Sequence, residues 1–431
     1  MTQKGFRIRI VANELISSPF TPTIFPIFLL FISFIFPPDI YEYYINEKNL
    51  MFLNLKMLLF GILCTFFYFA GVYISTKLKP MFLLTKEEIN QKFISYLIFL
   101  SCFSIVIHII SLVFMSIEFL KVVGISIYQL AIQGTSQLIK DTLGKEVRLP
   151  FGLGGVTAFT PGILFYVIAR YYYMKKLFQG YSSQMKKLQK LKILIYVSIF
   201  VFLIFNILTV NRPSITIFLL GWLCIYLHFY GTSFQKLTMT LIKVSFGIVA
   251  IFIIVSIVRW GGTYENLIYM VMERLIGYTI ANFNRFAFII DDRLSYVSNG
   301  VPAIFYIFPI TKVPLTDIVF FDFLELSKAS LGAVGELGLN SSYNMATLFA
   351  GIYQAIGYFA LVYFIALGIF GGRLYNSFKN GTIAGVIFYP LFFSSVALWM
   401  IDVNVFFLSF PYTLYAFLFI IFTRSLWKIS K

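Results

Sequence analysis

The chain has 431 residues, of which 59% are hydrophobic and only 12% are charged. Soluble domains carry about 25% charged residues, so this composition excludes an ordinary soluble protein and predicts a protein with several membrane spans. The net charge of +16 does not indicate nucleic acid as a partner, because the basic residues alternate with the hydrophobic segments instead of forming one basic surface.

Hydrophobic segments of about 17–25 residues, the length that a membrane helix needs, recur along the whole chain. The first follows Lys4, Arg7 and Arg9 and has no small-residue cleavage site after it, so we expect it to be retained as a span. Ten transmembrane helices are predicted in all. They lie near residues 23–36, 55–75, 93–117, 151–172, 193–210, 215–231, 244–258, 345–371, 382–400 and 404–422.

The distribution of positive charge predicts the orientation of these spans. With ten alternating spans and an inner N-terminus, 21 of the 34 lysine and arginine residues fall on the inner side. Short cytoplasmic loops of membrane proteins are enriched in lysine and arginine. We therefore expect both termini in the cytoplasm and the long connection 259–344 on the outer face.

Two shorter outer connections have patterns of their own. Residues 118–150 interleave apolar and polar residues at near-helical spacing as far as Leu143, which is typical of a helix lying in the membrane interface. Arg148 follows, beside a turn rich in proline and glycine.

The other connection is the tight turn Asn211-Arg212-Pro213-Ser214, which leads into the sixth span. Proline fits the first turn of a helix because its missing N–H is not needed there. Arg212 is thus predicted at the outer start of a helix, where unpaired backbone N–H groups favour an anion. The alternative is an arginine whose charged end reaches the membrane surface without a ligand.

The connection 259–344 is the one long segment that hydrophobicity does not assign to lipid, and we expect it to hold the functional site. Arg274 and Arg285 are eleven residues apart in it. At 100° per residue, this spacing returns to within about 20° of the same helix face. One helix would then present both arginines with Tyr278 and Asn282 nearby.

The alternative for these arginines is ordinary ion pairing with acids of the same connection, namely Glu265, Glu273, Asp291 or Asp292. Functionally, an arginine suits a pyrophosphate because its planar fork donates two hydrogen bonds and keeps its charge at physiological pH. Tyrosines such as Tyr264 and Tyr343 are interpreted as residues of the membrane interface, since tyrosine is abundant throughout the chain.

No sequence motif indicates a nucleotide, a metal or a serine–histidine site. A GxxxxGK[ST] segment is absent. The cysteines lie inside apolar segments without metal-type spacing. His108 and His228 are within predicted spans, where we interpret them as packed or helix-bonding residues. We therefore expect no cofactor and no metal.

Three features together resemble a known family. They are the ten spans with a large outer connection late in the chain, the turn NRPSITIFLLGWLCIYLHFYG at 211–231, and the segment NMATLFAGIYQAIGYF at 344–359 followed by GIFGGRLYNSF at 368–378. This layout resembles the O-antigen polymerases of the Wzy type, also called oligosaccharide repeat unit polymerases. The resemblance covers most of the chain.

The resemblance implies an all-α polytopic membrane protein that forms a single integrated domain over residues 1–431, with a large, partly helical extracytoplasmic loop at 259–344. The implied location is the bacterial inner membrane. The implied reaction is a glycosyl transfer that polymerises undecaprenyl-pyrophosphate-linked oligosaccharide repeat units on the outer face without a nucleotide or a metal. Membrane lipid and a chain-length regulator protein are the further partners implied.

The resemblance also implies roles for individual residues. Outer-face arginines of the family are held to bind the pyrophosphate, and one carboxylate would take the proton from the acceptor hydroxyl. The favoured base is Glu273, next to Arg274, with Asp291, Asp292 and Glu336 as the other candidates. The residues expected to act in catalysis are Arg274, Glu273 and Arg212. Those expected to bind substrate are Arg148, Arg259, Arg285, Tyr278 and Asn282.

Two other functions stay open. O-antigen ligases resemble these polymerases but are expected to use a histidine in the large outer loop, and no histidine lies between Arg259 and Asn344. A transporter or flippase of lipid-linked oligosaccharides usually has internal repeats and short loops on both sides. This sequence has a long outer connection and no evident repeat, so the polymerase is favoured.

Overall fold

The computed structural model describes residues 16–48, 50–82, 91–134, 138, 153–178, 182–230, 234–261, 264–313, 316, 318–401 and 403–427. The regular structure of this part is helical, apart from one isolated bridge between Lys312 and Val319. The α-helices in chain order are α1 Ile24–Phe34, α2 Pro38–Ile45, α3 Leu55–Ser75, α4 Gln91–Val123, α5 Ile127–Gln133, α6 Leu153–Leu177, α7 Ser182–Leu208, α8 Arg212–Tyr230, α9 Phe234–Trp260, α10 Leu267–Ile276, α11 Asn282–Ile290, α12 Ala303–Ile307, α13 Phe323–Glu336, α14 Leu348–Ile356, α15 Ala360–Lys379, α16 Ile383–Ala397 and α17 Val405–Leu426.

Six helices of the described part are long and apolar enough to cross a membrane, as expected of a polytopic helical membrane protein. Each of them coincides with one of the predicted spans. Their apolar segments are Leu55–Ser75, Lys92–Val123, Met185–Leu208, Arg212–Tyr230, Leu348–Lys379 and Val405–Leu426.

The first predicted span, 23–36, ends at a sharp bend. The segments Thr21–Phe34 and Pro38–Ile45 meet at an angle of 101°. The break falls at Pro37 and Pro38, because a proline pushes the preceding residue out of the helical region and Pro37 is extended, with ψ 126°. Helix α1 has 11 residues and is therefore about 16 Å long, roughly half of the apolar bilayer thickness.

Helix α16 is shorter than a typical span because it lies inside the protein. All of its 15 residues are buried, and it packs against α6, α8, α15 and α17. A helix that is apolar on every side is stable only when protein or lipid surrounds it completely. The two remaining predicted spans correspond to α6 and to the apolar part of α9, Val249–Trp260.

Helices α3 and α15 approach each other backbone to backbone. A Cβ atom at Gly71 would lie 2.1 Å from the carbonyl oxygen of Ile365, and one at Gly368 would lie 2.2 Å from that of Tyr68. Small residues let membrane helices come this close, where dispersion contacts stabilise the pair. The close crossing of α3 and α15 therefore requires glycine at both positions, because a side chain at either would overlap the facing backbone.

The connection 259–344 is partly helical, as predicted, but its centre is inside the protein. Every residue of α11 is buried, and α11 packs against α1, α3 and α14. The single helix predicted through Arg274 and Arg285 is wrong in one respect. A π-helical turn, Gly277–Ala281, lies between α10 and α11, so the side chains after it do not keep the angles of a continuous α-helix.

The predicted interfacial helix of residues 118–150 is described in part. Helix α4 continues to Val123, and the short helix α5 follows it. Ser126 and Gln129 form a capping box at the start of α5, each side chain bonding to the other residue's backbone. Residues 139–150, among them Arg148, lie outside the described residues.

Candidate anion-binding site

Arg212 lies at the first position of α8, where the sequence placed it, and its charged group is enclosed by the protein. The side-chain oxygen of Asn211 accepts a hydrogen bond from the backbone N–H of Ser214 at 3.4 Å, which helps to begin the helix. The guanidinium of Arg212 lies over the rings of Phe252 in α9 and Tyr278 in the π turn, 5.1 and 5.7 Å from their centroids.

The nitrogen atoms of Arg212 have no hydrogen-bond partner among the residues that the structure describes. Nε, Nη1 and Nη2 are all inaccessible to solvent. A buried charge without a partner is unfavourable, since water no longer solvates it. Contacts with aromatic faces recover part of this free energy, but they leave the five N–H donors of the guanidinium unused.

Arg274 lies in the last turn of α10, on its buried face. The helix begins at Asn266, whose side chain accepts hydrogen bonds from the N–H groups of Ile268 and Tyr269. The guanidinium of Arg274 lies 5.0 Å from the ring centroid of Trp260. Its Nη2 donates to the hydroxyl oxygen of Tyr264 at 2.9 Å, whereas its buried Nε has no partner in the described part of the chain.

Arg259, at the end of α9, completes a cluster of three cations. Its guanidinium also lies 5.0 Å from the ring centroid of Trp260. The charges of Arg259 and Arg274 both act on Arg212 and repel it. Like charges brought together in a partly buried place raise the free energy of the folded protein, and a bound anion would lower it. We call Arg212, Arg259 and Arg274 the arginine cluster.

Glu273 is the carboxylate beside the arginine cluster, and two tyrosines hold it. Its Oε2 accepts a hydrogen bond from the hydroxyl of Tyr264, and its Oε1 accepts one from the hydroxyl of Tyr343, each at 2.8 Å. The distance from Oε1 to Nη2 of Arg274 is 4.0 Å, too long for a hydrogen bond. Glu273 therefore forms no direct hydrogen bond with this guanidinium nitrogen.

Burial affects the pKa of both tyrosines. It raises the pKa of the Tyr264 hydroxyl, with the hydrogen bond to Glu273 adding to the effect. It also raises the pKa of Tyr343, although the nearby Arg274 acts in the opposite direction. For Arg274 itself, burial disfavours the charged form, but Tyr343 and Glu273 outweigh it and raise the pKa. The site thus holds charged arginines and protonated phenols.

The position of Tyr343 depends on Gly277. A Cβ atom at Gly277 would lie 2.0 Å from the Tyr343 ring, so only glycine allows the ring this close to the π turn. The ring also meets that of Tyr278 edge to face, with centroids 5.8 Å apart. Since Tyr278 covers Arg212 and Tyr343 covers Arg274 at 5.7 Å, these two rings connect the two arginines.

Two other predicted binding residues, Arg285 and Asn282, bond to other parts of the protein. Arg285 is fully buried and forms an ion pair with Glu47, an acid that the sequence analysis did not name as a partner. Asn282 donates hydrogen bonds to the carbonyl oxygens of Tyr278 and Met400. Both side chains are used within the scaffold, so we assign them to structure. Their predicted role in substrate binding is not supported by this geometry.

Two of the other candidate bases, Asp291 and Glu336, have partners elsewhere. Asp291 pairs with Lys56 at 3.3 Å and accepts a hydrogen bond from Asn54 at 3.2 Å. Glu336 accepts one from Asn299 at 3.4 Å. Glu273 is the predicted base that lies next to Arg274, with 4.0 Å between Oε1 and Nη2.

His108 is a helix-bonding residue, as interpreted from the sequence. It bonds to the carbonyl oxygen of Ser104 at 2.7 Å and to the hydroxyl of Thr160 at 3.2 Å. Among the described residues, no group of three or more histidine, cysteine, aspartate or glutamate side chains is arranged to hold a metal ion.

Apart from Tyr278, sequence reasoning missed the aromatic residues that build the site. Phe252 belongs to the predicted span 244–258, Trp260 was not singled out, and Tyr264 and Tyr343 were interpreted as interface residues. Tyr343 is 70 residues from Glu273, so no local pattern relates the two. The one sequence pattern that could have indicated them is a tyrosine near an arginine within 259–344. Tyrosine is so abundant in this sequence that the pattern does not single out particular residues.

The chain matches no family model, no curated protein and no solved structure.

Proposed function

We propose that the chain polymerises lipid-linked oligosaccharide repeat units by glycosyl transfer, and that the arginine cluster holds the pyrophosphate of the lipid carrier. The observation that supports this most is Arg212, whose three buried nitrogen atoms have no acceptor among the described residues. A bound anion would supply the missing acceptors. Nε of Arg274 also has no partner among the described residues, so a ligand with several acceptor oxygens could serve both arginines.

Pyrophosphate suits this arrangement in geometry as well as in charge. The donors come from α8 and α10, with Arg259 at the end of α9. Each guanidinium offers two parallel N–H groups, which match two oxygen atoms of one phosphoryl group. Two linked phosphoryl groups would allow Arg212 and Arg274 to bind one each. The surrounding rings exclude water, which strengthens such bonds.

The chemistry that we propose needs little beyond positioning. The bond between the anomeric carbon of the donor chain and its pyrophosphate breaks, and an acceptor hydroxyl of a second repeat unit forms the new glycosidic bond. The arginines stabilise the departing pyrophosphate. The hydroxyl proton passes to a carboxylate, and we assign this role to Glu273 because it lies beside Arg274.

The proposal also includes a membrane setting. We propose ten spans in a bacterial inner membrane, with both termini in the cytoplasm and the arginine cluster at the outer surface. The start of α8 lies beside the C-terminal half of α9, since the guanidinium of Arg212 is 5.1 Å from the ring centroid of Phe252. This is where a lipid headgroup would be reached.

The test is reconstitution of the purified full-length chain in liposomes with undecaprenyl-pyrophosphate-linked repeat units. We expect longer chains to form without nucleotide sugar and without divalent metal. A strict requirement for a nucleotide sugar would contradict the proposal, as would transfer to a lipid acceptor without chain growth. Movement of the substrate across the bilayer without chain growth would instead indicate a transporter.

A further inference from the structure

We propose that Tyr264 and Tyr343 are positioning residues which hold the Glu273 carboxylate away from the arginine cluster and so keep the cluster free to bind pyrophosphate. This inference rests on the anion-binding part of the proposed function. It does not depend on the sugar transfer. It explains why the carboxylate of Glu273 does not pair with the arginines that would bind the anion.

The tyrosine hydroxyls donate to the carboxylate oxygens of Glu273, to which an arginine would otherwise donate. The hydroxyl of Tyr264 accepts from Nη2 of Arg274 at 2.9 Å and donates to Oε2 of Glu273 at 2.8 Å, so it stands between the two charged groups. The hydroxyl of Tyr343 donates to the other carboxylate oxygen. Each oxygen of Glu273 therefore has a neutral donor.

Direct pairing would be the expected alternative for a carboxylate beside arginines. Arginine and carboxylate form bidentate pairs with N–O distances of about 2.7–2.9 Å, and such a pair would use the donors that a phosphate needs. Here the separation is 4.0 Å, and Nε of Arg274 is left unpaired among the described residues. The tyrosines thus leave donors of Arg274 available.

Tyr343 is itself held at its backbone and at its ring. Nε of Arg285 donates to its backbone carbonyl oxygen at 2.8 Å, and Gly277 lets its ring pack against the π turn. Arg285 is fixed in turn by Glu47. The buried ion pair of the scaffold therefore supports the placement of the tyrosine that holds Glu273.

The experiment measures binding of inorganic pyrophosphate to the full-length protein in detergent by titration calorimetry. The variants are Tyr264→Phe, Tyr343→Phe and Glu273→Gln, and each tyrosine change combined with Glu273→Gln. Tyr269→Phe is the matched control, because Tyr269 lies on the same helix α10 but its hydroxyl donates to the carbonyl oxygen of Tyr43. Thermal unfolding of every variant checks that it folds.

We expect Tyr264→Phe and Tyr343→Phe each to weaken pyrophosphate binding about tenfold, the size of one hydrogen bond to a charged group. The released carboxylate then pairs with the arginines. Adding Glu273→Gln should restore the affinity, because the amide carries no charge to compete. Tyr269→Phe should bind as the unmodified protein does.

The outcomes separate the two proposals. If Glu273→Gln fails to restore binding in the tyrosine variants, or weakens it alone, the tyrosines do not act by restraining a competing carboxylate. If the unmodified protein does not bind pyrophosphate, the anion site is wrong and both proposals fall. If it binds pyrophosphate with the expected pattern but does not lengthen lipid-linked chains, the sugar transfer alone is overturned.

Discussion

Arg285 and Glu47 form an ion pair in which neither side chain is exposed, although 238 residues separate them in the sequence. The pair carries further hydrogen bonds. Nη1 of Arg285 donates to the hydroxyl of Tyr41 at 2.9 Å, and the backbone N–H of Asn340 donates to Glu47 at 2.7 Å. This network attaches the connection 259–344 to the segment that follows α2.

The first prediction concerns this buried pair. Removing one partner leaves the other charge buried, which costs about 3–5 kcal/mol. We therefore expect Arg285→Met or Glu47→Gln to lower the free energy of unfolding by about that amount, and the double variant to lose less than the sum. Denaturant titration in detergent measures it. As a control, Lys121→Met breaks an exposed pair with Glu118 and should cost at most about 1 kcal/mol.

The second prediction concerns the guanidinium groups of Arg212 and Arg274. Lysine keeps the charge but cannot donate two parallel hydrogen bonds, so Arg212→Lys and Arg274→Lys should each remove most polymerisation at matched protein levels. Arg293→Lys is the control, because Arg293 is exposed and lies over Phe52 at 3.9 Å. Polymer of normal length and yield from both cluster variants would contradict the pyrophosphate role.

The third prediction concerns Gly277. An alanine there would overlap the ring of Tyr343, 2.0 Å from the new carbon, so Gly277→Ala should displace the ring and weaken pyrophosphate binding and stability together. Overpacking of this kind costs about 1–3 kcal/mol. Gly332→Ala in α13 is the control, since nothing lies within 4 Å of its Cβ position and alanine favours a helix. Equal behaviour of the two variants would argue against a close approach of Tyr343.

The fourth prediction concerns alkaline pH. Tyr264 and Tyr343 have a pKa above the usual 10.0 in the folded protein. Between pH 10 and the raised values, the folded state keeps protons that the unfolded chain loses. Their contribution to stability is therefore constant below about pH 10 and declines as the pH rises further. Unfolding midpoints measured from about pH 8 to pH 11 should fall less steeply for the double variant Tyr264→Phe, Tyr343→Phe. An unchanged slope would exclude both hydroxyls as the cause.

The fifth prediction concerns topology. Reporter fusions at residues 135 and 320 should lie outside the cytoplasm, and fusions at 180 and 238 inside it, because basic residues are concentrated in the loops assigned to the inner side. A cytoplasmic reporter at 320 would place the arginine cluster on the wrong face for a polymerase that acts outside.

The sequence by itself determined the helical membrane class and the place of each long helix. Length and continuous hydrophobicity are local properties of a segment, and a bilayer imposes its thickness on every span in the same way. The position of Arg212 at the start of α8 was also predicted from a local property of the sequence. The turn Asn211-Arg212-Pro213 carries the signals of a helix start within three residues.

Only the tertiary structure decided which arginines belong to the site. Arg274 and Arg285 share one helical pattern in the sequence, yet the π turn and the distant Glu47 separate them into a cluster residue and a scaffold residue. Tyr343 joined the site because the chain returns to Gly277 after 66 residues. Helical periodicity describes neighbours within a few turns, whereas the charge on a buried arginine is compensated by whatever group the fold brings to it.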